Sequence, residues 1–410
     1  LKKIRFIHLS DIHIGLQTHG RVNPSTGLNT RLEDILNSLD YVFDTALRES
    51  VDLILIAGDV FHRENPQPAE EIAFARRVGR VAAEGVSIVI VLGNHDYGSS
   101  GGKASAVEIF PALDIDGVTI VRKPGLLPIN TKSGTVQVAC LPWAGRGMLA
   151  ARDEYKSLSS DELQIEIEKK LIGIIRDLAK EIDRTIPSFL LCHVAARDAR
   201  LSGTELDTLS TSDPVIPVGE LASSAFNYVA LGHIHRFQDL HSGKTPPVVY
   251  SGSIERIDFT EEHEKKGFVM GELSHSDEGW ECGYEFVETP ARKFLTVELT
   301  QDDMDDENRF RLDRYPAEDF EDAVVRVRYT VGAPGDEVDE AAIKSHFRDA
   351  NNLKIERVFT KPEKIIRQTE LSRTMGVLEA LDKYIDGKPE LKKIGGEMKS
   401  YAEKLIRETE

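Results

Sequence analysis

Ten residues of this chain could do metal-assisted chemistry, and they fall in five short clusters. LSDIH supplies Asp11 and His13, AGDVFHR supplies Asp59 and His62, and LGNHD supplies Asn94, His95 and Asp96. Further on, FLLCH supplies His193 and ALGHIH supplies His233 and His235. Carboxylate, imidazole and amide donors without a thiolate suit manganese, iron or zinc better than a soft metal. They are too many for one ion. Two ions about 3.5–4 Å apart, sharing a bridging carboxylate, would use them all, clamp a phosphoryl group and make a hydroxide from water at neutral pH. Hydrolysis of a phosphate ester is the chemistry expected of such a set.

Each cluster closes an aliphatic run that reads as a strand: IRFIHLS, LILIA, SIVIVLG, SFLLC and YVALG. In an α/β sheet the carboxyl ends of the strands form the crevice where ligands bind. Taken singly, an Asp after a strand is more often a turn former, and a lone histidine more often a packing residue. Recurrence at five strand ends, each beside a small residue, decides for a site. His8, His19, His241, His263, His275 and His346 stand outside the pattern and read as surface or packing residues.

Between these strands lie helical stretches: Arg31 to Ser50, with its apolar stripe from Leu32 to Leu47, Ala69 to Glu84, and Ser160 to Arg184. Continuous aliphatic strands separated by helices predict an α/β layered domain with its sheet covered on both faces. Near Thr289-Pro290 the texture changes, and FLTVELT, AVVRVRYTV and LKIERVFT with an intervening helix predict a small α+β domain. From Lys361 the chain turns helical, with one stripe through Leu378, Leu381 and Ile385 and a second through Leu391, Ile394, Met398, Tyr401 and Leu405. The expected division is therefore 1–288, 289–360 and 361–410.

A chain of 410 residues is too long for one compact core. No apolar run reaches the ~18 residues of a membrane span, and Lys2, Lys3 and Arg5 lead into a short strand without an export signal's long apolar core. Three widely spaced cysteines, Cys140, Cys192 and Cys282, argue against a disulfide scaffold and for a reducing cytoplasm. Lys and Arg number 51 against 69 Asp and Glu, a net charge of −18 that counts against nucleic acid as a partner. Carboxylates holding divalent metal offset part of that objection.

DIH, GDVFHR, GNHD, a lone strand-end histidine and GHIH, in this order, resemble the calcineurin-like metallophosphoesterases. IRFIHLSDIHIG, GDVFHRENPQP and YSGSIERIDFTEE are similar, more narrowly, to the SbcD-type nuclease subunits of Mre/Rad-type double-strand-break repair complexes. The resemblance implies a layered β-sheet core flanked by helices, a small α+β capping domain beside DNA and a C-terminal helical hairpin. It implies two Mn²⁺ ions, with Mg²⁺, Fe²⁺ or Zn²⁺ as substitutes. Asp11, His13, Asp59 and His235 would hold the first, and Asp59, Asn94, His193 and His233 the second. His95 would stabilise or protonate the departing ribose oxygen, Asp96 would orient His95, and His62 would help position the DNA strand. The activity implied is DNA exonuclease and endonuclease cleavage in a cytoplasmic, nucleoid-associated setting. The partners implied are single- and double-stranded DNA ends, an SbcC-type ATPase held by the C-terminal helices, and a second copy of the chain. The dimer contact would fall near Ala69–Ala83 and Ser105–Leu113, and Arg21, Arg63, Arg146 and Arg256 would meet DNA. The metal core alone equally suits a phosphodiesterase or phosphatase of small substrates.

Overall fold

The computed structural model describes residues 3–97, 104–113, 115–144, 158–203, 213–277, 279–305, 309–331 and 338–359, with 378, 381, 385, 395, 396 and 398–402 beyond them. Two compact units result: Leu1–Tyr329 with Glu337–Arg357, and Thr330–Asp336 with Val358–Glu410. Of the stripes expected to form the C-terminal hairpin, which belong to the second unit, Leu391, Ile394 and Leu405 lie outside the described residues.

In chain order the first half runs β1 (Lys3–Leu9), α1 (Thr30–Arg48), β2 (Leu53–Ile56), α2 (Pro68–Ala83), β3 (Ser87–Val91), α3 (Ile109–Ala112), β4 (Val118–Val121), β5 (Gly125–Thr131) and β6 (Gly134–Leu141). It continues with α4 (Ser160–Glu181), β7 (Ser188–His193), β8 (Ala195–Ala196), β9 (Val215–Ile216), α5 (Val218–Leu221), β10 (Tyr228–Gly232), β11 (Gln238–Asp239) and β12 (Val248–Tyr250). The hairpin β13 (Gly267–Ser276) and β14 (Gly279–Glu288) follows, then β15 (Phe294–Leu299), β16 (Val324–Val331), α6 (Glu340–His346) and β17 (Asn352–Phe359).

The expectation of one sheet covered on both faces is met by two sheets rather than one. The first has the order β14-β13-β1-β2-β3-β4 and the second β11-β12-β10-β7-β6-β5. Side chains alternate across each strand, so Phe6, Leu53, Leu55 and Val89 meet Val138, Phe189, Leu191 and Tyr228 between the sheets. Their neighbours Ile7, Ile54, Ile56 and Ile88 face outward onto Ile35, Leu39 and Phe43 of α1 and Phe74 and Val78 of α2. Leu163, Ile167, Leu171 and Ile175 of α4 cover the outer face of the second sheet at Leu190, Val229 and Val248. Because β2, β3, β7 and β10 are buried on both faces, each reads as a continuous aliphatic run. The antiparallel addition of β13 to β1 joins segments some 260 residues apart, through pairs such as Phe6 with Gly271, and nothing local in either strand announces it.

The third sheet, β15-β16-β17, comes from the stretch expected to be α+β. A turn at Phe259–Glu261 faces it: Phe259, Phe294 and Val324 form a small cluster, and Glu262 accepts from Thr296 N at 2.7 Å and Thr296 Oγ1 at 2.6 Å.

Candidate metal centre

β1, β2 and β3 of the first sheet and β7 and β10 of the second run out at the same end, and the five clusters meet there. The turns that follow are tight and strained. Asp11, His13 and Asp59 have φ of 51°, 52° and 53°, and His233 has 103°, in a region that side chains other than glycine seldom adopt. Such strain persists only where surrounding structure over-determines it. Here Asp11 N donates to Gly58 O at 3.1 Å, and Ile12 N and His13 N donate to Asp59 O at 2.9 and 3.1 Å, which zips the turns after β1 and β2 together. Gly93 lets the β3 turn close: a Cβ there would stand 2.1 Å from Asp59 Oδ1.

The donor atoms converge in overlapping groups, one of which, His13, His62 and His95, the resemblance does not imply. One carboxylate or imidazole atom from each of Asp11, His13 and His235 lies within 4.8 Å of the others, and the same holds for Asp11, Asp59 and His193. His13 Nε2 and His235 Nε2 are 3.1 Å apart, and Asp59 Oδ2 is 3.9 Å from the former. On the other side, Asn94 Oδ1 is 2.9 Å from His193 Nε2 and 3.1 Å from His233 Nδ1, and Asp59 Oδ2 is 3.6 Å from His193 Nε2. Asp59 thus stands between both groups.

The chemistry of the set fits divalent cations. His193 Nδ1–H donates to Ala57 O at 2.7 Å and His235 Nδ1–H to Glu261 Oε1 at 2.9 Å, so each Nε2 carries its lone pair toward the site. Asp11 and Asp59 are buried, and among the described residues neither has a Lys or Arg within ion-pair distance. Burial, with Asp96 and Asp11 nearby, holds the Asp59 carboxyl well above the usual carboxylate range. Burial and the neighbouring histidines hold His13 and His193 well below the usual imidazole range, hence neutral and ligating. Anionic oxygens and neutral imidazoles with no cation of their own are what metal ions satisfy. These clusters are consistent with a dinuclear metal site.

His95 and His62 stack, with ring centroids 5.5 Å apart, and the His95 ring lies 4.8 Å from that of His13. His95 Nδ1–H donates to His62 O at 2.8 Å, while its backbone N–H donates to Asp59 Oδ1 at 2.9 Å. Its Nε2 makes no hydrogen bond among the described residues. Burial lowers the pKa of His95, and burial with the His95 charge brings His62 to about 4.

Asp96 requires a correction. It is expected to orient His95, but its carboxylate accepts from Val60 N at 3.1 Å, Phe61 N at 3.3 Å and Gly93 N at 2.9 Å. It staples the β2 turn to the β3 turn, and the carbonyl of His62 orients His95 instead. Of the arginines expected to meet DNA, Arg256 donates inward to Arg292 O at 2.9 Å and Glu264 O at 2.8 Å. Arg63 is tied to Gly15 O at 3.1 Å and Glu70 at 3.2 Å, Arg21 is exposed, and Arg146 lies outside the described residues.

Four residues that sequence reasoning missed also stand here. Glu261 and Lys266, both buried, lie behind His235. Asp213 Oδ2 is 3.4 Å from His233 Nε2, and the Trp143 ring is 5.0 Å from that of His233. Glu261 sits within the YSGSIERIDFTEE stretch, but its spacing from GHIH carries no signal of contact.

A family model described as calcineurin-like phosphoesterase matches residues 4–237. The chain belongs to the calcineurin-like phosphoesterases. It is 23% identical over 284 residues to an uncharacterized metallophosphoesterase, YhaO, of Bacillus subtilis, a match covering 68% of this chain and 60% of that protein. The chain thus spans less than two thirds of that relative's length. A dimetal phosphatase from Danio rerio superposes with a TM-score of 0.36 at 11% identity, over 68% of this chain and 98% of that one. Among the described residues no helix is long and apolar enough to cross a membrane.

Proposed function

We propose that the protein hydrolyses phosphate esters at this two-metal site, with small phosphodiesters or phosphomonoesters as its substrates. The observation that carries the reading is the placement of His95 Nε2, which makes no hydrogen bond among the described residues, beside ligand groups that Asp59 approaches on both sides, at 3.9 Å from His13 and 3.6 Å from His193. Two bound divalent ions would neutralise phosphoryl charge and lower the pKa of a water between them. The protein's own part is to fix that geometry and to manage a proton. His95 is neutral in the free site, and a phosphate's negative charge brought beside it raises its pKa. It can then take a proton and deliver it to the departing oxygen, with the His62 carbonyl keeping Nε2 as the delivering atom. Two of the four arginines expected to meet DNA are held by the protein itself, and the net charge of −18 disfavours a polyanion.

The second reading is a DNA exonuclease and endonuclease working with an SbcC-type ATPase through the C-terminal helices, and the YSGSIERIDFTEE stretch favours it. Exposed Ile72, Ile109 and Leu113, in the segments expected to pair two copies, support a dimer. The test is turnover of bis-p-nitrophenyl phosphate, p-nitrophenyl phosphate and a linear duplex with Mn²⁺ or Mg²⁺, beside His95→Ala. Metal-dependent turnover of a small ester, absent in the variant, with the duplex intact, is the expected result. Shortening of the duplex moves the assignment to the nuclease, and no turnover of any substrate refutes both.

A further inference from the structure

The ligand histidines are anchored behind the site in unequal ways. His193 gives its Nδ1 proton to a neutral backbone carbonyl, that of Ala57, at 2.7 Å. His233 turns Nε2 toward Asp213 at 3.4 Å, and that nitrogen lacks a hydrogen bond. His13 Nδ1 is buried without a hydrogen bond among the described residues. Among the described residues, His235 is the one of the four that donates to a carboxylate, Glu261 Oε1, at 2.9 Å.

That carboxylate is held from every side. Its other oxygen accepts from Ile257 N at 2.8 Å and lies 2.9 Å from Lys266 Nζ. Lys266, itself fully buried, also donates to His235 O at 2.9 Å and to Glu264 at 3.0 Å. One ammonium thereby fixes both the backbone of the ligand and the carboxylate that grips its ring. The short turn carrying Glu261 is clamped from its far side, where Glu262 accepts from Thr296 and Phe259 packs 5.0 Å from Phe294. The ring of His235 is therefore set in one tautomer and one orientation before any ion arrives.

We propose that Glu261, backed by Lys266, is a positioning residue for the metal ion held by His235, and that it sets the affinity of this position separately from the one served by His193. The inference rests on the two-metal reading of the site. A carboxylate behind a ligating imidazole fixes its tautomer and strengthens the lone pair it offers, and loss of such a partner costs on the order of 10- to 100-fold in metal affinity. Glu261 touches neither the His193 anchor nor Asn94, so the second position is spared.

The test is Mn²⁺ titration of the metal-free protein, following the free-ion electron paramagnetic resonance signal, for wild type, Glu261→Gln, and Glu261→Gln with Lys266→Met. The double variant removes the buried ion pair as a unit and leaves no orphaned ammonium, so it keeps the question open to measurement where the single variant fails to fold. Thermal melting of each metal-free protein checks the fold. His193→Ala marks the titration step of the other position, and Asp213→Asn is the comparison variant with the looser contact. The expected result is two ions on wild type. Glu261 variants should weaken one step by on the order of 10- to 100-fold while the step lost in His193→Ala is unmoved, and Asp213→Asn should shift its own step less. Two unchanged steps in the double variant, or two steps weakened alike, would overturn the proposal. Fewer than two ions on wild type would refute the two-metal reading itself. Because binding is measured rather than turnover, a protein that binds two ions without cleaving any ester would leave the role of Glu261 standing.

Discussion

Replacing Gly93 with alanine is the sharpest test of how the centre is built. The added Cβ would lie 2.1 Å from Asp59 Oδ1, 2.5 Å from Asp59 N and 2.8 Å from Asp59 Cγ, where ordinary contact begins at 3.4 Å. Asp59 cannot yield by rotating alone, because its backbone nitrogen is also in the way. Its φ of 53° is already strained, and its Oδ1 holds the backbone N–H of His95. Either the β2 turn or the β3 turn must retreat by about an ångström. A displacement of that size between reacting groups costs on the order of 10²-fold in rate, and overpacking costs about 1–3 kcal/mol in stability. If Asp59 is the shared ligand of the proposed two-metal site, both positions should weaken. The assay is metal stoichiometry by equilibrium dialysis together with turnover of bis-p-nitrophenyl phosphate. The control is Gly79→Ala in α2, where a Cβ meets nothing within 4 Å and the exchange should stabilise the protein by about 0.5–1 kcal/mol. A Gly93→Ala protein that binds two ions and turns over within about threefold of wild type would refute the assignment of Asp59 as the shared ligand.

His95→Gln should keep both ions and lose about 10²–10⁴-fold in kcat; loss of an ion from the folded variant, seen by metal analysis, would make His95 a ligand instead. Arg31→Met should destabilise the fold by about 3–5 kcal/mol, measured by urea unfolding, because it strands Glu255 and one side of Asp34; Arg31 is buried, 2.8 Å from Asp34 and 3.7 Å from Glu255. His8 is buried between Tyr228 OH at 3.1 Å and Leu231 O at 3.2 Å, and burial lowers its pKa to about 3. Only the neutral ring can accept from the hydroxyl and donate to the carbonyl. The unfolded chain binds the proton near 6.5, so this stability is present above pH 6.5 and is lost as pH falls toward 3. By pH 5 the loss amounts to about 2 kcal/mol, and His8→Gln, which can serve both partners, should flatten the acid limb of the stability profile by that amount. An unchanged slope would refute the burial argument.

The converging side chains were legible because each ends an aliphatic strand, and a strand's end is a local property of sequence. Asp11, Asp59, Asn94, His193 and His233 follow runs that could only be buried, so their direction and meeting place came from chain pattern alone. The second sheet was not legible, since strands buried on both faces look alike whether helices or another sheet cover them. Nor was the hairpin β13–β14, whose pairing with β1 depends on a partner some 260 residues away.

Asp96 and Glu261 show where reading by proximity fails. Asp96 directly follows His95, and the family resemblance implied that one serves the other. On a tight turn, however, consecutive side chains diverge, and a buried carboxylate goes to the nearest unpaired backbone N–H groups, here those of Val60, Phe61 and Gly93. Glu261 is 26 residues from the histidine it anchors, and nothing in the intervening sequence signals the contact. The role expected of Asp96, orienting a working imidazole through its far nitrogen, is performed by a backbone carbonyl for His95 and His193 and by Glu261 for His235. Lone-pair donors on strand ends can be read from sequence. Their anchors cannot, because any buried acceptor that the fold brings within 3 Å will serve.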